Sequence, residues 1–212
     1  MDIASVPDLG TLVERLRGRA AQTSARYIVG LVGEPGSGKS TVAELVAQHL
    51  GSDVCVTVPM DGFHLAGSVI AGTPLEDRKG AIDTFDADGY VALLERLRAR
   101  DEEVVYAPSY RRGLEEPIAA SIPIPREIPV VLTEGNYLLA DLDPWTKVRK
   151  YVDEVWFVEV PRDVRLERLI DRHVAFGKAR DEAIAWALGP DEDNARLIAS
   201  TRHRADQVIE WI

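Results

Sequence analysis

Gly33-Glu-Pro-Gly-Ser-Gly-Lys-Ser40 is the stretch from which the fold can be argued, because it fits the pattern G-x-x-x-x-G-K-[ST] in full. Glycines in such a loop let backbone N–H groups turn inward around phosphate oxygens, and the following helix presents its positive N-terminal end to the same anion. The Lys39 side chain can reach the β- and γ-phosphates of a nucleotide, and the Ser40 hydroxyl can hold Mg²⁺. The predicted nucleotide-binding residues are Gly33, Glu34, Pro35, Gly36, Ser37, Gly38, Lys39, Ser40 and Thr41.

The segments around this phosphate loop alternate between apolar runs and helical periodicity. Apolar runs predict buried strands at residues 27–32, 54–58, 130–133 and 155–160, with a last short strand at 207–212. Helical spacing predicts helices at residues 8–20, 40–50, 161–175, 178–188 and 191–203. Strands that alternate with helices favour an α/β fold with a parallel central sheet.

Three further segments complete the chain. Residues 61–87 are rich in Gly and Asp and lack periodicity, so we predict a long functional loop, called the acceptor loop below. Asp88 is a candidate N-cap for a helix that follows it. Residues 102–125 predict a small excursion with two short strands, at 104–106 and 118–124. Its strand breakers are Pro108, Pro117, Pro123 and Pro125.

The composition limits the class of protein. The chain has 212 residues, with 25 basic and 35 acidic side chains, and its formal net charge is −10. This charge argues against general binding to nucleic acid or to an anionic membrane, because both need a basic surface. The single cysteine, Cys55, excludes an internal disulfide, and no apolar run approaches the roughly 18 residues of a membrane span. Asp2 and Asp8 stand where a secretory signal would be apolar, so we expect one cytoplasmic domain over residues 1–212.

Two acidic residues follow strands of the predicted sheet. Asp61 lies in the segment VPMDGFH after the second strand, and Glu134 lies in the segment VVLTEGNY at the third. Ligands of open parallel sheets bind beyond the carboxyl ends of the strands. A phosphoryl-transfer site needs one carboxylate to orient or deprotonate the acceptor hydroxyl and another to organise Mg²⁺ or its waters. Asp61 suits the first role, and Glu134 with Ser40 suits the second, although each acid alone would pass for a turn residue.

Residues 161–180 contain arginines at the spacing of one helix face. Arg162, Arg165, Arg168 and Arg172 fall on one side of a helix that turns about 100° per residue. Guanidinium groups gathered in this way suit an anion, and in a phosphoryl-transfer site they would close over the transferring phosphate. We therefore predict that residues 161–180 form a helical lid. The alternative is a solvated surface helix whose arginines pair with nearby acids.

With these residues in view, the chain resembles the P-loop small-molecule kinases grouped with uridine kinase, phosphoribulokinase and bacterial pantothenate kinase. It is similar in particular to the bacterial branch labelled nucleoside/nucleotide kinase-like or fructose transport system kinase. The resemblance covers about residues 27–209. Its motifs are Gly33–Thr41, Asp61-Gly-Phe-His64, Arg78-Lys-Gly80 followed by Asp83-Thr-Phe-Asp86, Tyr106-Ala-Pro-Ser-Tyr110, and Glu134-Gly-Asn-Tyr137.

The resemblance implies a P-loop NTPase three-layer α/β sandwich with a parallel central sheet and a helical lid. It implies ATP as phosphoryl donor, Mg²⁺ as cofactor and Asp61 as the base at the acceptor hydroxyl. The residues expected to be catalytic are Asp61, Lys39, Arg168 and Arg172. The residues that the resemblance places at the acceptor are Asp61, Lys79, Asp83, Phe85, Tyr110, Asn136 and, as in pantothenate kinase, Asn194. From its position alone, His64 either lines the same pocket or packs beside Phe63.

The chain departs from the uridine kinase pattern after Tyr110. Uridine kinases have Asp and, a little later, His at this point, whereas here Arg111, Arg112 and Gly113 follow. This departure argues against uridine. The two arginines either meet an anionic acceptor or line a solvated loop, and the loop is the favoured interpretation because runs of charge usually face water.

The sequence therefore predicts ATP-dependent phosphate transfer to a hydroxyl of a small molecule, such as a sugar, a nucleoside or a pantothenate-like alcohol. The main alternative is a P-loop NTPase that hydrolyses ATP as a switch or assembly factor, without an acceptor. A switch would need an apolar partner surface on the acceptor loop, and this loop is polar. A binding module without catalysis is disfavoured by the intact Lys39, Ser40, Asp61 and Glu134. We expect no nucleic acid and no membrane as partners, and a homo-oligomer is left open.

Overall fold

The computed structural model describes residues 7–22 and 25–211, and at its centre lies a five-stranded parallel sheet. Asp2 and Ile212, which enter the predictions above, lie outside the described residues. The strands in chain order are β1 (Tyr27–Val32), β2 (Cys55–Pro59), β3 (Val104–Arg111), β4 (Glu116–Pro125), β5 (Val130–Glu134), β6 (Glu154–Glu159) and β7 (Gln207–Glu210). The α-helices are α1 (Pro7–Gln22), α2 (Lys39–Leu50), α3 (Gly67–Ile70), α4 (Ala87–Ala99), α5 (Arg162–Ala175), α6 (Arg180–Leu188) and α7 (Pro190–Ser200).

The order of strands in the sheet is β2-β5-β1-β6-β7, and every neighbouring pair is parallel. The register pairs Glu134 at the end of β5 with Leu31 of β1 on one side and with Pro59 of β2 on the other. The carboxyl ends of these three strands therefore meet at one edge, where ligands of parallel sheets bind. The predicted α/β fold with a parallel central sheet is confirmed.

Apolar clusters cover both faces of the sheet and make three layers. On one face, α1 and α2 pack on β1, β5 and β6, and Leu9, Leu12 and Leu16 of α1 are buried there. On the other face, α4 packs with β3 and with the 3₁₀ helix Trp145–Lys150. Each fully buried leucine stabilises the fold by roughly 1.5–3 kcal/mol. The predicted helix at residues 8–20 is therefore part of the main core rather than an appendage.

The N-cap prediction at Asp88 is wrong. The N-cap of α4 is Asp86, whose carboxylate accepts a hydrogen bond of 2.9 Å from the Gly89 N–H. Asp88 lies inside the first turn, where its exposed side chain pairs with Lys147 at 3.4 Å. An N-cap must precede the first helical residue so that its side chain can reach the free N–H groups, and apolar spacing alone does not locate that residue.

The prolines predicted as strand breakers in the excursion lie within strands. β3 and β4 form a separate two-stranded antiparallel ribbon, longer than predicted, that contains Pro108, Pro117, Pro123 and Pro125. The register shifts between Ala107 and Ser109, at Pro108. A two-stranded ribbon tolerates proline because each strand has one unpaired edge, where no N–H group is needed.

Short helical elements fill the acceptor loop. They are the 3₁₀ turns Met60–Phe63, Glu76–Arg78 and Ile82–Thr84, together with α3. Within residues 7–22 and 25–211, every helix is too short or too polar to cross a membrane.

Candidate active site

The phosphate loop joins β1 to α2 at the carboxyl edge of the sheet. Two of its glycines, Gly36 and Gly38, have positive φ angles of 83° and 88°, which side chains other than glycine rarely adopt. A Cβ atom on Gly38 would lie 2.8 Å from the Trp211 ring, and one on Gly36 would lie 2.7 Å from the Arg165 carbonyl oxygen. α2 begins at Lys39, so its N-terminal N–H groups face the loop.

Donor groups without partners surround this loop. Ser37 Oγ and Arg168 Nη1 are buried and have no hydrogen-bond partner among the described residues. Arg168 Nη1 lies 3.5 Å from the position of a Cβ on Gly38, so the guanidinium stands directly against the loop. Unpaired buried donors are costly unless a ligand satisfies them. These donors, the helix N-terminus and the glycine turns fit the phosphates of a nucleotide.

Lys39, Ser40 and Glu134 form a charged group at the start of α2. The Ser40 hydroxyl donates a 3.1 Å hydrogen bond to Glu134 Oε1, at the buried end of β5. Burial raises the pKa of Glu134, and the Lys39 ammonium opposes that rise. Burial also lowers the pKa of Lys39, while the negative charges of Glu134 and Asp61 counteract it. A hydroxyl beside a carboxylate supplies the oxygen ligands that Mg²⁺ prefers, so the pair Ser40–Glu134 fits a magnesium site completed by phosphates and waters.

A cavity of about 400 Å³ opens beside the phosphate loop. It brings together most of the residues predicted for the two substrates. The predicted residues that line it are Pro35, Lys39, Ser40, Asp61, His64, Lys79, Phe85, Tyr110, Asn136, Arg172 and Asn194. Asp83 does not line it, because its carboxylate pairs with Arg78 at 3.2 Å on the exposed side of the acceptor loop. Arg168 lies against the phosphate loop instead.

Asp61 stands in the 3₁₀ turn that follows β2 and lines the cavity together with Lys39. Among the described residues its carboxylate makes one ion pair, at 3.5 Å to the Arg112 guanidinium. Asp61 after β2 and Lys39 at the start of α2 thus come from different parts of the chain and line the same cavity. The carboxylate is within reach of a ligand in the cavity and is held by no short hydrogen bond among the described residues.

His64 lies between two aromatic rings. Its ring centroid is 4.1 Å from that of Phe85 and 4.6 Å from that of Tyr110. His64 Nδ1 is 2.7 Å from the Asp61 carbonyl oxygen, which can only accept, so the proton sits on Nδ1 and Nε2 is left as an acceptor. Burial lowers the pKa of His64, which favours this neutral form. The residue lines the cavity, and its ring packs on that of Phe85.

Two asparagines contribute amide groups to the cavity wall. Asn136 Oδ1 is buried and has no hydrogen-bond partner among the described residues, so it offers an acceptor to a ligand. The Asn194 amide lies 3.4 Å from the Gly80 carbonyl oxygen, which joins α7 to the acceptor loop.

Arg112 meets both interpretations that the sequence left open. It lies in the exposed turn between β3 and β4, with 43% of its side chain exposed, and it also lines the cavity and pairs with Asp61 at 3.5 Å. Its neighbour Arg111 is exposed and does not line the cavity, and a run of charge does not indicate which of two adjacent arginines reaches a cavity. Other lining residues absent from the predicted site are Glu76, Gly80, Glu115, His173, Phe176, Lys178, Trp186 and Asp191.

The four arginines of α5 divide into two pairs, of which only the first forms ion pairs among the described residues. Arg165 is 2% exposed and pairs with Glu34 of the phosphate loop at 2.8 Å and with Glu192 of α7, and Arg162 pairs with Glu192 at 2.8 Å. Arg168 and Arg172 carry no ion pair among the described residues, and Arg172 lines the cavity. The first pair therefore fastens α5 to its neighbours, and the second pair is left for an anion.

Replacing Glu192 with Ala is expected to lower the free energy of unfolding by about 3 kcal/mol, the lower end of the range for a broken buried ion pair, because Arg165 loses its α7 partner but keeps Glu34. Asp193→Ala is the matched control on the same turn. Its ion pair with Arg196 is largely exposed, so we expect a loss below about 0.5 kcal/mol. Urea unfolding measures both, and equal losses in the two variants would contradict this role of Glu192.

The loss of unfolding free energy caused by Glu192→Ala is also expected to depend on pH. Burial alone would raise the pKa of Glu192, but hydrogen bonds from Arg165 and Arg162 hold it below its ordinary value near 4.5. A carboxylate with a lowered pKa in the folded protein contributes stability above its ordinary pKa, and this contribution is lost as the pH falls through the lowered value. The difference between wild type and variant should therefore be largest above about pH 5 and shrink at lower pH.

This arrangement defines a P-loop kinase: the phosphate loop follows the central strand β1, Glu134 ends the adjoining β5, and Asp61 follows β2 on the other side of β5. Asp61 and the phosphate loop line one cavity. The chain belongs to the phosphoribulokinase/uridine kinase family, whose model matches residues 28–212. This membership confirms the family resemblance inferred from the motifs. P-loop kinases of this family are nucleotide-binding transferases that use ATP, typically with Mg²⁺, and act on small molecules.

Three relatives illustrate the similarity. A crystal structure from Silicibacter sp. TM1040, described as a "putative fructose transport system kinase", is 35% identical, has a TM-score of 0.85, and is matched over 96% of this chain and 98% of that one. The ATP-dependent kinase-like protein notR' of Aspergillus versicolor is 36% identical over 159 residues, 71% of this chain and 92% of its own. The protein YggC of Escherichia coli is 32% identical over 189 residues, 87% of this chain and 78% of its own.

Proposed function

We propose that this protein transfers the γ-phosphoryl group of ATP to a hydroxyl group of a small molecule. The observation that carries the proposal is that the Asp61 carboxylate and the Lys39–Ser40 end of the phosphate loop line one cavity. Phosphoryl transfer needs little covalent chemistry from the protein and depends on positioning and charge. Transfer to an acceptor hydroxyl needs a carboxylate opposite the phosphate loop, whereas a protein that only binds phosphate does not need one.

Several residues described above have separate roles in the transfer. Lys39 and the N–H groups of the phosphate loop hold the β- and γ-phosphates, and Arg168 and Arg172 neutralise charge that develops on the transferring group. The Ser40 hydroxyl, with Glu134 beside it, would hold Mg²⁺, which would supply neutralisation of the phosphate charge.

Asp61 orients the acceptor hydroxyl and accepts its proton. The hydroxyl oxygen forms a bond to the γ-phosphorus, the bond from that phosphorus to the β,γ-bridging oxygen breaks, and ADP leaves with the bridging oxygen. His64, Lys79, Phe85, Tyr110, Asn136 and Asn194 shape the acceptor side of the cavity. Asp83 does not line that cavity, so we assign it no contact with the acceptor.

The placement of the cavity also bears on the organisation of the chain. The acceptor loop, the β3–β4 ribbon and the segment 161–180 all contribute to its walls. This supports the proposal that residues 1–212 act as one kinase domain, with residues 161–180 as its lid. The lid forms one wall of the cavity, so its movement would open or close access to both substrates.

The direct test is ADP release from Mg·ATP in the presence of sugars, pantothenate-like alcohols, nucleosides and phosphorylated sugars. We expect slow release without an acceptor and an increase of at least about 100-fold with members of one acceptor class, since binding the acceptor completes the site. Steady ADP release that no acceptor alters would instead support the alternative, an NTPase that works as a switch or assembly factor.

A further inference from the structure

The charged residues of the cavity are unequally partnered. Its four lining acids each have a partner within the described residues: Asp61 pairs with Arg112, Glu76 accepts from the Gly72 N–H, Glu115 from the Tyr110 hydroxyl and the Gly113 N–H, and Asp191 is bonded to His173. Its lining cations are Lys39, Lys79, Arg112, Arg172 and Lys178. Among residues 7–22 and 25–211, only Arg112 of these five makes an ion pair, at 3.5 Å.

Four of these five cations therefore have no carboxylate within ion-pair distance among the described residues, and the fifth has one at 3.5 Å. In the proposed function, Lys39 and Arg172 face the phosphates of ATP. Lys178 lies over the Trp186 ring, 4.5 Å from its centroid, on the lid side of the cavity. Lys79 and Arg112 approach from the acceptor loop and the β3–β4 turn, which are the acceptor side.

Arg112 and Lys79 act on the same small region. Lys79 Nζ donates a 2.5 Å hydrogen bond to the Glu115 carbonyl oxygen and lies 5.6 Å from the Tyr110 ring centroid. Burial is the main cause that lowers the pKa of His64, Asp61 opposes it, and the smaller effects of the Lys79 and Arg112 charges lower the pKa further. Both cations therefore stand near the aromatic wall of the acceptor pocket.

The contact between Arg112 and Asp61 is weak for a charged pair. Its 3.5 Å separation exceeds the roughly 2.7–2.9 Å of a short charged hydrogen bond. The guanidinium has five N–H donors in a planar fork that matches the two oxygens of a carboxylate or phosphate. A ligand anion in the cavity would satisfy donors that Asp61 leaves unused.

We propose that the acceptor carries an anionic group, a carboxylate or a phosphate, and that Arg112 and Lys79 bind this group on the ribbon side of the cavity. The inference rests on the proposed function, because it concerns the acceptor of that reaction. Of the two roles that the sequence left open for Arg112, it selects contact with an anionic acceptor. Binding of the anion would also affect Asp61. An anion that draws the Arg112 guanidinium towards itself frees the Asp61 carboxylate to receive the hydroxyl proton.

The first arm of the test measures anion binding without turnover. The protein is loaded with Mg²⁺ and the non-hydrolysable analogue AMP-PNP, which fills the β- and γ-phosphate positions, and inorganic phosphate is titrated at constant ionic strength while Tm is recorded. We expect a saturable rise of Tm in wild type and in Arg111→Gln, the exposed neighbour. In Arg112→Gln the midpoint should move to at least about tenfold higher phosphate. No saturable rise in wild type, or equal midpoints in the two variants, would overturn the proposal.

The second arm measures turnover with matched acceptors: ribose 5-phosphate against ribose, fructose 6-phosphate against fructose, and glycerate against glycerol. We expect the anionic member of the active pair to exceed the neutral one by at least about 100-fold in kcat/KM. Arg112→Gln should raise its KM at least about 30-fold, and Arg111→Gln should leave it unchanged. The active pair distinguishes phosphate from carboxylate.

The outcomes separate this inference from the proposed function. Phosphorylation of neutral members with Arg112→Gln unaffected would overturn the anionic acceptor and leave the kinase function standing. Saturable, Arg112-dependent phosphate binding combined with ADP release that no acceptor alters would instead overturn the kinase function, with Arg112 left as an anion-binding residue.

Discussion

Asp61→Asn is expected to lower acceptor-dependent ADP release by about 1,000-fold, the middle of the range for loss of a general base. The amide has nearly the shape of the carboxylate but cannot accept the hydroxyl proton. Mg·ADP should bind the variant as it binds wild type, because the phosphate loop is untouched. Single-turnover ADP release with saturating ATP and acceptor measures the first quantity, and calorimetric titration with Mg·ADP measures the second.

Asp88→Asn is the matched control for Asp61→Asn. Asp88 is an exposed acid in the first turn of α4, outside the cavity, and pairs only with Lys147 at 3.4 Å among the described residues. We expect its kcat to stay within about threefold of wild type, as for surface substitutions away from a site. An Asp61→Asn variant that keeps wild-type turnover would rule out Asp61 as the base.

Lys39→Met is expected to reduce kcat/KM for ATP by about 100- to 1,000-fold, because it removes a positioned charge from the transferring phosphates. Methionine retains most of the side-chain volume. The change also removes the cation that opposes the raised pKa of Glu134, so Glu134 should become still harder to ionise and Mg²⁺ should bind more weakly. The measurements are ATP-dependent turnover and the Mg²⁺ concentration at half-maximal rate.

Lys147→Met controls for removal of a lysine. Lys147 is half exposed, lies in the 3₁₀ helix Trp145–Lys150 and is not part of the cavity. We expect it to leave both ATP turnover and the Mg²⁺ requirement unchanged. Should Lys39→Met behave like Lys147→Met, the phosphate-binding role of Lys39 would have to be abandoned.

Much of the fold could be predicted because its signals are local. The phosphate loop can be recognised from the spacing of its residues, because its glycines are needed at positions with a particular backbone conformation. Gly36 and Gly38 have the positive φ angles that favour glycine. The apolar runs of β1 and β5 are buried on both faces, as central parallel strands should be. The N-cap of α4 was misplaced because apolar periodicity marks the face of a helix better than its first residue.

Only part of the candidate site could be predicted from local sequence signals. The position of Asp61 after β2 predicted that it faces the ligand edge, and the cavity contains it. The roles of the α5 arginines could not be separated by spacing, because Arg165 and Arg168 lie on the same side of the helix. Arg165 forms ion pairs with Glu34 and Glu192, which lie 131 and 27 residues from it in the chain.

The sequence by itself determined the parallel α/β architecture, the phosphate loop and the acids that follow the strands, since each depends on residues within one turn or one strand. Only the tertiary structure decided that Arg112 enters the cavity while Arg111 does not, and that Asp83 stays outside it. Nothing in the local sequence separates these neighbours. The direction of a side chain in a loop is set by the ribbon, the lid and the sheet that close around it, and their contacts join residues far apart in the chain.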